Sequence, residues 1–305
     1  MQSQPASPSG HRGLSDIQKG TLAGVIVVLC WSGFNIVSRF GSTGSFTPFD
    51  LAALRYSISG LIALPLFLTR VAVRDWPRYM VLTLFGGLGY ALLVYSGFSF
   101  APSAHAGVFV NGGIPFWTVI ILGVGAGFRI PRMVLIALLL STCGLLLIAS
   151  ESLFAPRHGT EWIGDVLFLS AALTWAIFGL LMRSWQIQPK LAVLGIASFA
   201  AVSYMPVYLL WLPKTIGNAS WGDLLLQGSY QGVIAALLAA GMYSYANQKI
   251  GASQASMMLA LVPAVSAIGA FFLLGESISL TVALGIVVVS AGAALGALPS
   301  REAVR

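Results

Sequence analysis

Apolar runs of about twenty residues follow one another along this chain with short polar breaks between them, a rhythm that predicts membrane-crossing helices. Ten such runs lie at 19–40, 49–69, 77–99, 103–126, 131–150, 163–183, 190–212, 225–248, 252–274 and 279–297. The breaks carry turn residues or charge: GSTGSFTP at 41–48, RVAVRDWPR at 70–78, GFRIPR at 127–132, FAPRHGTE at 154–161 and LPKTIGNASWGD at 212–223. A transmembrane barrel would show segments of about ten residues with alternating polarity, and that pattern is absent. The first 19 residues are polar and rich in Ser, Pro and Gly, and the run after them is too long for a signal peptide and lacks a small-residue cleavage site.

Composition agrees with lipid as the solvent. Of 305 residues 57% are hydrophobic and 8% charged, where a soluble domain carries about 25% charged residues. The 16 basic residues against 9 acidic ones suggest a nucleic-acid partner until their positions are read. With a cytoplasmic N-terminus, Arg12, Lys19, Arg70, Arg74, Arg78, Arg129, Arg132, Arg183, Lys190, Lys249, Arg301 and Arg305 fall on the cytoplasmic side, and only Arg39, Arg157 and Lys214 on the other. That is a positive-inside bias. The charge reports topology, both termini are expected in the cytoplasm, and no nucleic-acid partner is expected. Cys30 and Cys143 both lie in apolar runs and read as packing residues.

The chain also repeats itself. Gly20, Trp31, Phe34 and Arg39 recur as Gly164, Trp175, Phe178 and Arg183, each 144 positions later. Pro48 and Pro65 match Pro189 and Pro206 at an offset of 141; Tyr95, Ala104, Pro115, Gly127 and Gly144 match Tyr243, Ala252, Pro263, Gly275 and Gly292 at an offset of 148. Each half holds five spans, an odd number, so the second half crosses in the opposite sense. The expected organisation is a tail at 1–18, a five-helix repeat at 19–150, a linker at 151–162, an inverted five-helix repeat at 163–298 and a tail at 299–305. Inverted repeats recur in secondary transporters, with the solute site near mid-membrane where the halves meet. Duplication alone would leave the same symmetry in another kind of membrane protein, an intramembrane enzyme included.

The tryptophans of the first and sixth spans, LAALRY at 51–56, and the pair APSAHAGVFVNGGIPFWTVI (101–120) and GASQASMMLALVPAVSAIGAFFLLGE (251–276) carry a likeness to a known family. With them the chain resembles EamA-type members of the drug/metabolite transporter superfamily over about residues 18–298. The resemblance implies an all-α integral membrane protein of ten helices, built as two inverted EamA repeats around a central cavity. It also implies a carrier of amino acids, nucleobases or other metabolites in a bacterial inner membrane. Two departures stand out. Phe128 follows Gly127 where the second repeat has Glu276 after Gly275, and Ile196 stands where the first repeat has Arg55.

A polar group deep in lipid costs several kcal/mol unless it is paired, so the few polar residues inside spans are the candidates for a solute path. They are Trp31 and Asn35, Tyr90 and Tyr95, Asn111, Trp175, Tyr243 and Asn247, and Ser256. They sit in spans 1, 3, 4, 6, 8 and 9, the cavity helices that the resemblance implies. The spacing of Trp31 and Asn35, and of Tyr243 and Asn247, puts each pair on one helical face. Trp31 and Trp175 either line the path or pack the interface between repeats. Trp76, Trp162 and Trp221, near span ends, read as interfacial anchors. Arg55, one to two turns inside span 2, either attracts a carboxylate or, as favoured here, snorkels or clamps helix-end carbonyls. His105, at the start of span 4, is either a gate residue or a solvated histidine. Pro115 and Pro263 occupy matched points and read as paired hinges.

No Asp or Glu falls at mid-span, which weighs against strict proton coupling and for facilitation or exchange. No GxxxxGK[ST] motif appears for an ATP-driven pump. Three histidines, at 11, 105 and 158, cannot assemble a catalytic set or a metal site at depth. The expectation is a single-chain carrier, a monomer, with the bilayer and a small amphiphilic metabolite as partners, amino acids first, with no metal or cofactor.

Overall fold

The computed structural model describes residues 14–126, 132–154 and 159–296. Residues 1–13, 127–131, 155–158 and 297–305 lie outside the described residues. With them go most of both expected tails and, from the charge and repeat patterns, Arg12, Gly127, Phe128, Arg129, Arg157, Arg301 and Arg305.

The described residues form ten helices. They are α1 (Asp16–Thr43), α2 (Pro48–Arg70), α3 (Val73–Phe98), α4 (Ser103–Ala126), α5 (Arg132–Phe154), α6 (Glu161–Ser184), α7 (Pro189–Trp211), α8 (Trp221–Ile250), α9 (in two pieces, Ala252–Leu259 and Val262–Leu274) and α10 (Leu280–Gly296). Eight are long and apolar enough to cross a bilayer, and α5 and α10 add the shorter apolar stretches Leu135–Glu151 and Leu280–Gly296. Helix starts follow local chemistry. Ser15 and Gln18 close a capping box at α1, and Thr47 and Asp50 close another at α2, where Pro48 fills a position whose N–H needs no partner. Gly275 ends α9 in the left-handed conformation, φ 68°, which turns Glu276 back across the bundle. Large apolar side chains point outward, among them Leu61 in α2, Trp211 in α7 and Phe272 in α9, the surface a hydrocarbon solvent requires. Trp162 and Trp221 are exposed at helix starts as anchors should be; Trp76 is instead half-buried against Phe67 and Phe199.

The packing is two-fold. α2 lies along α7, α5 along α10, and α4 crosses α9; α1 packs on α8 and α9, just as α6 packs on α3 and α4. Exchange of the two halves maps α2–α7, α5–α10 and α4–α9 onto themselves, α1 with α8 onto α6 with α3, and α1 with α9 onto α6 with α4. The recurrent sequence positions sit at these crossings. Gly20 lets α1 approach the end of α8, where an added Cβ would lie 2.8 Å from the Lys249 Cβ; Gly164 lets α6 approach the end of α3, where a Cβ would lie 2.9 Å from the Ala101 nitrogen. Trp31 lies against Tyr243 of α8 with ring centroids 5.5 Å apart, and Trp175 against Tyr90 of α3 at 4.6 Å.

Regular α-helix is interrupted at three places. Thr83–Gly89 in α3 and Tyr230–Leu238 in α8 are wound as π-helix, in the third helix of each repeat. α9 breaks at Ala260–Leu261, just before Pro263, while α4 runs without interruption past Pro115. The two prolines therefore occupy different local structures.

Helix association in lipid depends on small residues that let backbones touch, and the α5–α10 contact is the tightest test of it. A Cβ on Gly144 would meet the Val289 Cγ2 at 2.5 Å and the Gly285 carbonyl oxygen at 2.8 Å, whereas one on Gly179 would meet nothing within 4 Å. Gly144→Ala is expected to destabilise the folded protein by about 1–3 kcal/mol through overpacking, and Gly179→Ala to be neutral or slightly stabilising. Thermal unfolding of both variants in detergent, against the parent, measures the difference.

Candidate functional site

Polar groups inside the bundle fall into three groups. The first stitches α1 to the second repeat. The Asn35 amide donates to the Ser266 Oγ at 2.9 Å, the Ser32 hydroxyl to the Val262 carbonyl at 3.3 Å, and the Ser103 hydroxyl to the Asn35 carbonyl at 3.4 Å. Two glutamines one turn apart on α8 complete the seam. Gln231 donates to Ser38 Oγ at 3.0 Å and to Gln227 Oε1 at 3.1 Å, and accepts from the Tyr95 hydroxyl at 3.0 Å; Gln227 donates to the Val37 carbonyl at 2.7 Å. Both are fully buried. An amide has several bonding sites to satisfy, and these satisfy them on protein.

The second group closes the end of the bundle where α1, α3 and α9 finish and α4 and α6 begin. Glu276 accepts from Arg39 Nε at 2.9 Å and from the Ser103 backbone N–H at 3.0 Å, so its charge sits on the positive end of α4. Arg39 also donates to the Phe98 carbonyl. One carboxylate thus ties α1, α4 and α9 together, and the guanidinium adds α3. Beside it the buried His105 meets Asp165 of α6 with Nδ1 and Oδ1 2.8 Å apart, and Ser279 bonds Glu151. His105 is 4% exposed, so it is a paired core histidine and not a solvated one. At the opposite end Arg183, the repeat mate of Arg39, is exposed and makes no ion pair among the described residues.

The third group is aromatic. Trp31 with Tyr243, and Tyr90 with Trp175 and Phe178, form two sets of rings, each contributed by both repeats; Trp31, Tyr90, Trp175 and Tyr243 are all only half-buried. The Tyr243 hydroxyl is 3.1 Å from the Ser256 Oγ, and the Asn247 amide donates to the Tyr243 carbonyl at 2.9 Å. Asn111 is half-buried and donates to the Gly107 carbonyl of its own helix at 2.7 Å. Trp117 donates to the Leu169 carbonyl at 2.9 Å. Arg55 has its guanidinium carbon 5.7 Å from the Phe34 ring centroid and 6.0 Å from that of Tyr56. No carbonyl among the described residues accepts a hydrogen bond from it. The clamp expected of it is made elsewhere: Asp50, five residues earlier, accepts from Tyr208 at 2.5 Å and from Thr47 and Thr215.

The residues singled out from the sequence therefore divide. Asn35 and Tyr95 are buried in the inter-repeat seam, and His105 against Asp165. Trp31, Tyr90, Asn111, Trp175, Tyr243, Asn247 and Ser256 keep part of their surface open. Arg39, Glu276, Asp165, Gln227 and Gln231 were not among the site candidates. The two glutamines were visible as an i, i+4 pair in an apolar run; the Arg39–Glu276 contact joins residues 237 positions apart and had no local signal. Among the described residues no three His, Cys, Asp or Glu come together as metal ligands.

Residues 18–150 and 162–297 each match the model of the EamA-like transporter family. An uncharacterized transporter of Archaeoglobus fulgidus is 24% identical over 281 residues, covering 88% of this chain and 93% of the relative. The aromatic amino acid exporter YddG of Ancylobacter novellus is 25% identical over 203 residues, covering 64% of this chain and 68% of the exporter. The uncharacterized transporter YyaM of Bacillus subtilis is 22% identical over 268 residues, 82% and 85% of the two chains. A solved crystal structure superposes with a TM-score of 0.60 at 22% identity, over 90% of this chain and 95% of the other, a likeness of fold.

The Arg39–Glu276 pair is enclosed, with side chains 14% and 16% exposed, while Arg78–Asp75 lies at the surface at 3.8 Å. Glu276→Gln leaves an enclosed guanidinium without its counter-charge and is expected to cost about 3 kcal/mol; Asp75→Asn is expected to cost less than about 1 kcal/mol. In a double-mutant cycle, adding Arg39→Gln to Glu276→Gln should recover part of the loss. Thermal melting of the four proteins checks both statements.

Proposed function

The chain belongs to the EamA-like transporter family, and from that premise we propose that it moves small amphiphilic metabolites, amino acids first among them, across the membrane by alternating access. What carries the proposal is the packing: two five-helix halves exchange matched contacts, one end is tied by Arg39 and Glu276, and the corresponding arginine at the other end stands free of any described ion pair. A bundle so built has two related closures, one formed here and one to be formed when the first opens. The Lys and Arg bias sets in the cytoplasm the end held by the more open Lys249–Asp16 pair, which supports the reading of a carrier closed toward the outside and loading from within, hence an exporter.

The half-buried rings Trp31, Tyr90, Trp175 and Tyr243 supply amphipathic walls, and Asn111, Asn247 and Ser256 the polar groups, for a solute with an apolar body and a polar head. Pro263, beside the break in α9, is the hinge in this scheme, and Pro115 marks its mate in α4. The kinship with an aromatic amino acid exporter supports the same substrate class. The acids sit near helix ends, paired with Arg39 or His105 or bonded to Ser279, which favours facilitation or exchange over strict proton coupling. One chain in a bacterial inner membrane is the transport unit, and nothing in the chemistry calls for a catalytic step.

Purified protein in liposomes, given a panel of labelled amino acids and nucleobases, is expected to pass at least one aromatic or branched amino acid faster than empty vesicles do. Trp175→Ala should cut that flux by about tenfold or more if the ring contacts solute, an interaction on the order of 1–3 kcal/mol. An imposed proton gradient should leave the rate unchanged. A panel with no flux above background removes the transport assignment, and accumulation driven by the gradient removes facilitation.

A further inference from the structure

Arg55 is the eighth residue of α2, so its Cα lies about 10 Å along the helix axis from the start, well inside a hydrocarbon layer of about 30 Å. A cation at that depth is retained only with compensation. Part of that compensation is aromatic. The ring centroids of Phe34 and Tyr56 lie 5.7 and 6.0 Å from the guanidinium carbon.

The counter-charge is missing. No carboxylate among the described residues pairs with Arg55. Asp50 is taken up by Tyr208, Thr47 and Thr215, Glu276 by Arg39 and Ser103, and Asp165 by His105. Breaking a paired ion in such surroundings costs several kcal/mol, and a guanidinium with rings but no described carboxylate beside it keeps its positive charge open to an incoming anion. The repeats agree: the second half has Ile196 at the matching position, so the halves supply one such cation and not two.

We propose that Arg55 is the binding site for the carboxylate of the transported solute. The inference rests on the transport reading above and narrows it to monocarboxylates with an apolar or aromatic body. A carboxylate is planar and singly charged, and it matches the fork of a guanidinium with two parallel hydrogen bonds. A phosphate dianion would need a second cation at the same depth. Trp31, one turn before Phe34 on α1, connects this head-group site to the aromatic wall, since the Phe34 ring lies 5.7 Å from the guanidinium carbon and the Trp31 ring packs on Tyr243 5.5 Å away. A solute with its acid on Arg55 thus has ring surface beside it for its body.

The test uses the full chain in lipid nanodiscs with phenylalanine, 3-phenylpropionate, phenylalaninamide and phenethylamine as probes, binding followed by competition against labelled phenylalanine or by intrinsic tryptophan fluorescence. The two acids are expected to bind the parent protein about 10–100-fold more tightly than the amide and the amine, the scale of one charge-assisted hydrogen-bond pair. Arg55→Gln should erase that preference, and Arg55→Lys should keep part of it. Equal binding of acid and amide by the parent overturns the assignment, as does undiminished acid preference in a folded Arg55→Gln. If Arg55→Gln fails to fold, the comparison of acid with amide on the parent protein decides alone. Should the parent neither bind nor move any of the probes while it moves a nucleobase, the carboxylate site falls and transport stands; if it moves no solute, the transport reading falls first and this inference with it.

Discussion

Neither five-helix half of this protein has a core of its own. α2 finds its main partner in α7, α5 in α10, and the first helix of each half packs on the third helix of the other. Lipid is as apolar as leucine, so these contacts are not driven by exclusion from water; they hold because backbones come close and polar groups bond across the seam. Gly20, Gly164 and Gly144 set the distance, and Asn35, Ser38, Gln227 and Gln231 supply the bonds. Because the interface between the halves is also the core, one half cannot shift without exchanging contacts with the other. Discrete rearrangement between two packings follows from such an arrangement more readily than gradual flexing.

The symmetry is broken where the charges are. Arg39 and Arg183 are repeat mates, but Glu276 has Phe128 as its mate, so the acid that ties one end has no copy at the other. Gly275 matters here through geometry: its left-handed turn carries Glu276 over the start of α4, where the helix dipole and the Ser103 N–H help hold the charge. The ion pairs at the two ends differ accordingly: Arg39–Glu276 is enclosed, whereas the pair at the other end, Lys249–Asp16 at 2.9 Å, is open to its surroundings. The irregular windings add a second asymmetry. π-helix occurs in both α3 and α8, but the break in α9 beside Pro263 has no equivalent in α4, which passes Pro115 intact. The same residue type at matched positions therefore yields a broken helix in one half and a continuous one in the other.

Helix number and order were legible in the sequence because lipid makes the apolar run itself the signal, and the repeat was legible because close packing keeps Gly and Trp at the crossings. What stayed hidden depends on how each helix is rotated about its axis. Asn35 reads as a candidate for contact with solute until α9 places Ser266 against it, and Arg55 reads as a clamp because Asp50 is near in sequence, although Asp50 turns toward Tyr208 and Thr215. Glu276 reads as a helix-end acid until its partner 237 residues away is known. The π-helical turns leave no periodic mark, since one extra residue per turn over seven to nine residues is lost among glycines and apolar side chains.

The polar residues then sort by a single criterion. Those whose bonding capacity is met by the protein, Asn35, Tyr95, Gln227, Gln231 and the Arg39–Glu276 pair, hold the halves together, and a solute would have to break them to bind. Those with capacity to spare can serve a solute without that cost. Arg55 has charge to spare, since its neighbours are the Phe34 and Tyr56 rings and no described carboxylate pairs with it. Asn111, whose amide makes one bond to its own helix, has less, and Trp31, Tyr90, Trp175 and Tyr243 offer ring faces. Structural and solute-facing roles thus separate within the same helices by what each side chain has left over. In a bundle with so few polar groups, that remainder is what the proposed passenger answers to: one planar anion for Arg55, and an apolar body to lie against the rings.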